Sequence, residues 1–173
     1  YRYVWGRSLL QILRALQQHR KMLSDAYAVW IIAEVARILA GAHALVTPEL
    51  PTGIWHRNLS PRCVLVSFSG HVQIVGFGHQ GPALTPENLD TFDFSNLSYL
   101  APEQVTGQEL THRTDLFTLG SFLYELVTGA PPFIEKTPGR VAHRIAKCSY
   151  PPASSVNPRV SRELDLILMR LLT

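Results

Sequence analysis

The chain is poor in charge and in cysteine. Asp, Glu, Lys and Arg together make up only 17% of its 173 residues, and there are two cysteines, Cys63 and Cys148. Two thiols far apart in sequence, with no second pair beside either, exclude a disulfide framework and suit a reducing compartment, so a cytoplasmic setting is expected. The net charge of +3 is scattered and forms no basic stripe, which removes nucleic acid from the expected partners. None of the seven histidines stands in a metal spacing such as His-x-x-x-His with a supporting carboxylate. No uninterrupted apolar run reaches membrane length. The best stretch, residues 26–46, is broken by Glu34, Arg37 and His43, so no membrane contact is expected from this segment. No secretory leader pattern opens the chain, whose first residues, Tyr1-Arg2-Tyr3-Val4-Trp5-Gly6, read like the middle of something. What is plentiful is apolar: hydrophobic residues are 46% of the total, enough to bury the core of one domain or of one lobe of a larger one.

Periodicity predicts a mainly helical chain. Residues 1–4 read as a strand end and Gly6 as a turn. Leu9, Leu10, Ile12, Leu13 and Leu16 then recur at helical spacing over residues 8–19. Ser24 is placed to cap a helix over residues 25–45, with Asp25 against its positive end. That helix is apolar apart from a narrow stripe of Glu34, Arg37 and Gly41, which predicts that it is largely buried. Residues 47–53 hold Pro48, Pro51 and Gly53 and read as a loop. Residues 64–66 and 72–75 are short apolar runs around a turn at Gly70, a small hairpin. Residues 76–100 show no period and form a long irregular segment. Thr114 is placed to cap a helix over residues 115–128 that is apolar almost all round and stops at Gly129, the pattern of a central core helix. Two further helices are expected over residues 140–147 and 161–172, joined by a proline-bounded loop at 151–158.

Two short stretches carry the functional information. Residues 56–66 read His56-Arg57-Asn58-Leu59-Ser60-Pro61-Arg62-Cys63-Val64-Leu65-Val66, and residues 74–78 read Ile74-Val75-Gly76-Phe77-Gly78. They resemble two protein-kinase motifs, the catalytic loop His-Arg-Asp-Leu-x-x-x-x-Asn and the metal-binding Asp-Phe-Gly. Ala101-Pro102-Glu103 resembles the end of a kinase activation segment. Residues 114–120 resemble the start of the kinase central helix, and residues 123–133 its end and the following turn. Five motifs in the family's order make the chain similar to the C-terminal lobe of a bacterial-type Ser/Thr protein kinase. The resemblance covers nearly all of residues 1–173. It implies a mainly α fold with a small β-hairpin carrying the catalytic-loop and Asp-Phe-Gly-like positions, with the hinge at residues 1–4. No Gly-rich phosphate loop or Val-Ala-Ile-Lys strand precedes Tyr1, so the resemblance implies hinge and C-lobe without the N-lobe, and an end cut short at Thr173.

At each place where the kinase pattern carries chemistry, this sequence departs from it. The catalytic carboxylate is replaced by Asn58, an amide that cannot act as a base, where a positioned base contributes about 10²–10⁴-fold. Cys63 stands for the Asn that holds the second metal, and a lone thiol is a poor ligand for magnesium. Gly76 stands for the Asp that carries the bridging metal, a contribution of several kcal/mol to the transition state. At roughly 1.4 kcal/mol per tenfold, the three losses together are expected to abolish useful phosphoryl transfer. Ser60 replaces a common Lys, though some bacterial members share Ser-Pro there, and Asn96 replaces a usual Thr.

The bracing positions are kept. The resemblance assigns His56 and Phe77 to the stacked regulatory spine and Asp115 to a carboxylate that holds the catalytic loop by backbone hydrogen bonds. It places Tyr1, Tyr3, Val4 and Leu65 at the hinge and adenine floor, and gives Gly78 and Glu103 structural roles. For Val64, Leu65, Phe122 and Leu126, which match the apolar support beneath the adenine, ordinary core packing is the preferred reading. No equivalent of the arginine that usually pairs with Glu103 is found before Thr173, so Glu103 is expected to be an unpaired carboxylate. Arg57 has two readings: a receiver for a phosphate on Thr85, Thr91, Ser95 or Ser98, or, preferred, an ion pair with Asp90 or Asp93 or with backbone carbonyls. Cys63 as a redox sensor ranks behind Cys63 as a small packed hydrophobe. The expectation is a pseudokinase, a scaffold or allosteric partner for an active kinase or another signalling protein. It requires no cofactor, with ATP bound without magnesium left open. The rival is an active, atypical Ser/Thr kinase using Glu87, Asp90 or Asp93 as substitute metal ligands. A decayed domain is the third reading.

Overall fold

The computed structural model describes residues 4–48, 51–78 and 94–173. The chain runs β1 (Gly6–Ser8), α1 (Leu9–Gln18), α2 (Asp25–His43), β2 (Val64–Ser67), β3 (Val72–Ile74), α3 (Phe94–Leu97), α4 (Pro102–Thr106), α5 (His112–Thr128), α6 (Pro138–Ala146), α7 (Ala153–Val156) and α8 (Arg162–Leu171). It is mostly helical, with one small antiparallel sheet in the order β1-β2-β3.

Helix α5 is the axis of the molecule. Thirteen of its residues, from Thr114 and Asp115 through Phe117 to Val127, are buried, and it packs against α2, α7 and α8. Its apolar-all-round sequence leaves no face for water, and Gly129 in the left-handed conformation (φ 85°) closes it. Gly120 sets how closely α8 can approach: a Cβ there would stand 2.7 Å from Leu171 Cβ. The buried hydroxyls inside this core are spent locally. Thr118 donates to the Tyr99 carbonyl at 2.9 Å, and Tyr124 donates to the Pro151 carbonyl at 3.0 Å. Phe117, Phe133, Tyr150 and Tyr124 follow one another in stacked and edge-to-face contacts that join α5 to the segments on either side of α6.

The structure corrects several of these expectations. Gly6 is a strand residue rather than a turn. It pairs with Ser67, making the hairpin a three-stranded sheet, and a side chain at position 6 would run into the Val66 carbonyl. Ser8 instead caps α1, in a box with Gln11: the Ser8 Oγ accepts the Gln11 N–H at 3.2 Å, and Gln11 Oε1 accepts the Ser8 N–H at 2.9 Å. Helix α5 starts three residues before the expected cap. Thr111 is the N-cap and Thr114 lies inside the helix, its hydroxyl accepting the Thr111 N–H. Helix α2 is only half buried. Ala28, Ile31, Ile32, Val35 and Leu39 pack against the core, while Tyr27, Val29 and Trp30 stand in solvent. Ser24 sits at its N-cap position without a side-chain hydrogen bond to the helix. By length and composition alone α2 could cross a membrane; one face of it is instead committed to α5. The segment read as irregular holds α3, and α4 follows it at Pro102.

Candidate functional site

The site is organised from below by one carboxylate. Asp115, in the first turn of α5, is 1% exposed. A buried carboxylate is costly unless its oxygens are hydrogen-bonded. Here Oδ1 accepts the Arg57 N–H at 2.9 Å, while Oδ2 accepts the His56 N–H at 2.8 Å and meets His43 Nε2 at 2.8 Å. Three contacts engage both oxygens, which stabilises the loop and commits Asp115 to a bracing role.

The loop is held from the other side as well. Arg57 lies at φ 64°, in the left-handed region that a side-chain-bearing residue enters at a cost of about 1–2 kcal/mol. Its N–H is fixed by Asp115, and its carbonyl accepts the Gln104 side-chain amide of α4 at 2.9 Å. The guanidinium carbon lies 5.1 Å over the Trp55 ring, and Nε is buried without a hydrogen-bond partner among the described residues. Of the groups expected to face Arg57, Thr85, Asp90, Thr91 and Asp93 fall outside the described residues, as does Glu87. Ser98 is buried.

Above the carboxylate, four side-chain positions converge. His56 is 1% exposed, donates from Nε2 to the Val75 carbonyl at 3.0 Å, and lies 4.8 Å from the Phe77 ring centre. Gly76 has φ 91°, and a Cβ there would lie 3.8 Å from each of Cys63 Sγ, His56 Cε1 and His56 Nε2. Cys63 and Ser60 are joined by a turn, with the Cys63 N–H donating to the Ser60 carbonyl at 2.9 Å, and their side chains meet at 3.4 Å. The Cys63 thiol also reaches the Asn58 carbonyl at 3.8 Å. Burial alone would raise the Cys63 thiol, but the neighbouring His56 ring and Ser60 hydroxyl outweigh it and hold the thiol below its ordinary range. Burial alone would lower His56, and the neighbouring Cys63 thiol with the Val75 carbonyl raises it instead. Each group therefore favours the other's charged form.

Position by position, the structure brings together His56, Asn58, Ser60, Cys63, Gly76 and Phe77, with Asp115 and Arg57 beneath. Gly78 follows at φ 80° and is exposed. Leu65 is half-buried in β2 opposite Ser8 and Gln73, whereas Val4 lies beyond the paired end of β1. Tyr1 and Tyr3 fall outside the described residues. Glu103 is not the unpaired carboxylate expected: its Oε1 accepts a short hydrogen bond from the Thr114 hydroxyl. The expectation failed because α4 lies against the start of α5, so a hydroxyl inside that helix takes the role sought in a distant arginine. Sequence reasoning also passed over His43 and Gln104, whose roles depend on where α2 ends and how α4 sits. A histidine in the last turn of an apolar helix was the one available signal. A buried pair of Tyr99 and Glu125, hydroxyl to carboxylate at 2.6 Å, anchors the approach to α4 from within α5. Burial pushes the Glu125 carboxyl up despite that hydrogen bond, and both burial and the neighbouring carboxylate push the Tyr99 phenol up.

The donor set does not fit magnesium. Gly76 offers no donor atom, Cys63 offers soft sulfur, and Asn58 offers a neutral amide. Among the described residues no group of three or more His, Cys, Asp or Glu side chains is arranged to hold a metal.

Comparison with known proteins follows this geometry closely. The family model described as protein kinase domain matches residues 2–173. Serine/threonine-protein kinase PknD of Mycobacterium tuberculosis is 33% identical over 160 residues, covering 91% of this chain and 23% of PknD. The probable serine/threonine-protein kinase PknB of Lactococcus lactis is 32% identical over 170 residues, covering 97% of this chain and 25% of its own. PknB of Mycolicibacterium smegmatis is 31% identical over 148 residues, covering 84% and 23%. The chain thus spans about a quarter of the length of these bacterial relatives.

Proposed function

The chain belongs to the protein kinase domain family, and from that premise we propose that it works as a pseudokinase domain: a scaffold or allosteric regulator built on a Ser/Thr kinase fold. One observation carries the reading. The buried carboxylate that holds the loop, Asp115, has both oxygens committed to His56, Arg57 and His43, while the three positions where the family carries its base and metal ligands are an amide, a thiol and a glycine. Both oxygens of the brace are engaged, and the positions of the family's base and metal ligands carry no carboxylate. Phosphoryl transfer depends almost entirely on positioning and on charge neutralisation by metal. A frame without those charges can still present a shaped surface. The expected partner is a protein in the same signalling pathway, an active kinase or another signalling protein, in the cytoplasm. ATP, if bound, is held without magnesium.

The alternative, an atypical but active kinase, is favoured by the relatives, which are named as Ser/Thr protein kinases. It requires Glu87, Asp90 or Asp93 to supply metal ligands. A thermal-shift titration of the full-length protein with ATP, with and without magnesium, separates the readings. The pseudokinase reading expects either no shift or a shift indifferent to magnesium. A shift that requires magnesium, together with phosphate transfer to a generic substrate that is lost in Asn58→Ala, overturns it.

A further inference from the structure

We propose that the outer face of α1 and the adjoining end of the sheet form a docking surface for an acidic, apolar segment of a partner protein. The cations of this chain form no stripe along the sequence, but their distribution is uneven. Residues 1–24 hold Arg2, Arg7, Arg14, Arg20 and Lys21 and no Asp or Glu, so all 13 carboxylates lie from Asp25 onward. The fold gathers part of this charge around a groove of about 290 Å³ on α1. Ile12, Ala15 and Leu16 give the groove an aliphatic floor, and Arg7, His19 and Lys21 stand around it. The three rim side chains are exposed. Among the described residues, none of Arg7, Arg14, Arg20 and Lys21 is ion-paired. Arg7 joins the groove to a second exposed feature. Its guanidinium carbon lies 5.5 Å over the Phe68 ring, whose centre is 5.1 Å from that of Trp5 in an edge-to-face pair. Trp5 is 70% exposed and Phe68 58%, and the Phe68 N–H fixes the pair by donating to the Trp5 carbonyl at 3.1 Å.

Exposed aromatics beside an apolar groove mark an interaction surface. The charge selects the occupant. Covering unpaired cations is costly unless the partner brings anions, so acidic side chains complement the rim while apolar ones enter the floor. An aliphatic floor suits the side chains of a peptide. A nucleic acid would need open aromatic faces for its bases, and Arg7 already covers a face of Phe68. A membrane is disfavoured because Leu9 and Leu13, the most apolar stripe of α1, are buried in the core. The surface is also preorganised. The His19 N–H donates to the Ala15 carbonyl at 3.1 Å and the Lys21 N–H to the Leu16 carbonyl at 2.9 Å, so the turn closing α1 fixes the backbone of both rim residues. The inference rests on the scaffold reading only in taking the partner to be a protein.

The test titrates the full-length protein into a fluorescein-labelled peptide of about twelve residues, Glu and Asp interspersed with Leu and Phe, and reads fluorescence anisotropy. Saturable binding is expected. Arg7→Glu combined with Lys21→Glu should weaken it about tenfold or more, as should Ala15→Gln, which fills the floor without altering charge. All three positions are exposed, and circular dichroism checks that the variants fold. Should one not fold, the peptide controls decide: replacing its Leu and Phe by Ser, or its acids by Lys, should weaken binding about tenfold. No saturable binding up to about 100 μM protein overturns the proposal. So does equal binding of the Ser peptide, or tighter binding of single-stranded RNA or of anionic phosphatidylglycerol vesicles that the same substitutions abolish. Any of these leaves the magnesium titration of the pseudokinase reading untouched, and magnesium-dependent phosphate transfer would overturn that reading while peptide binding stood.

Discussion

The underside and the outer face of one loop differ in how their polar groups are used. Below, Asp115, His43, Gln104 and the backbone of His56 and Arg57 form a closed set in which donors and acceptors are matched. Above, the family's charged positions are held by Asn58, Cys63 and Gly76, with Cys63 against the Ser60 hydroxyl and the His56 ring edge beside Gly76. Decay without selection should erode both sides alike, because neither a lost brace nor a lost base is then penalised. The brace is whole while the outer positions carry no carboxylate, and the proposed non-catalytic use rests on that contrast.

That contrast can be broken most forcefully at Asp115. Asp115→Ala strands two buried N–H groups, and equilibrium urea unfolding is expected to show a loss of about 3–5 kcal/mol. A loss below about 1 kcal/mol would mean that the underside is not the brace described here. Tyr99→Phe is the intermediate case. It removes the hydroxyl that Glu125 accepts inside the core, and the same measurement should show about 1–3 kcal/mol. The smallest effect sharpens the comparison from the other side. Asn58→Ala touches the outer face only and is expected to change stability by no more than about 0.5 kcal/mol. If Asn58→Ala were as damaging as Tyr99→Phe, the outer face would be structural too and the contrast would dissolve.

Much of the fold was legible before any coordinates, for reasons visible in particular residues. The run from Leu116 to Val127 has no polar face, so it could only be a central helix. Gly129 and the Pro131-Pro132 pair mark where it must stop. The hairpin around Gly70 follows from alternation and a turn residue. The misreadings share a cause: each turned on a neighbour distant in sequence. Gly6 looks like a turn until Ser67 is opposite it. Thr114 looks like a cap until Glu103 takes its hydroxyl. Helix α2 looks buried all round because composition alone does not say that only one of its faces has a partner.

The sequence by itself determined the element order, the central helix and the kinase-like motifs, and it placed an amide, a thiol and a glycine where the family carries its chemistry. These are properties of residue type and spacing, which act locally. Only the tertiary structure decided that both Asp115 oxygens are engaged, that Glu103 accepts from Thr114, and that Cys63 meets Ser60 with His56 and Gly76 beside it. Hydrogen bonds and perturbed titration depend on distances of a few ångströms between residues far apart in the chain, and those distances exist only after α5 has drawn the loop down onto itself.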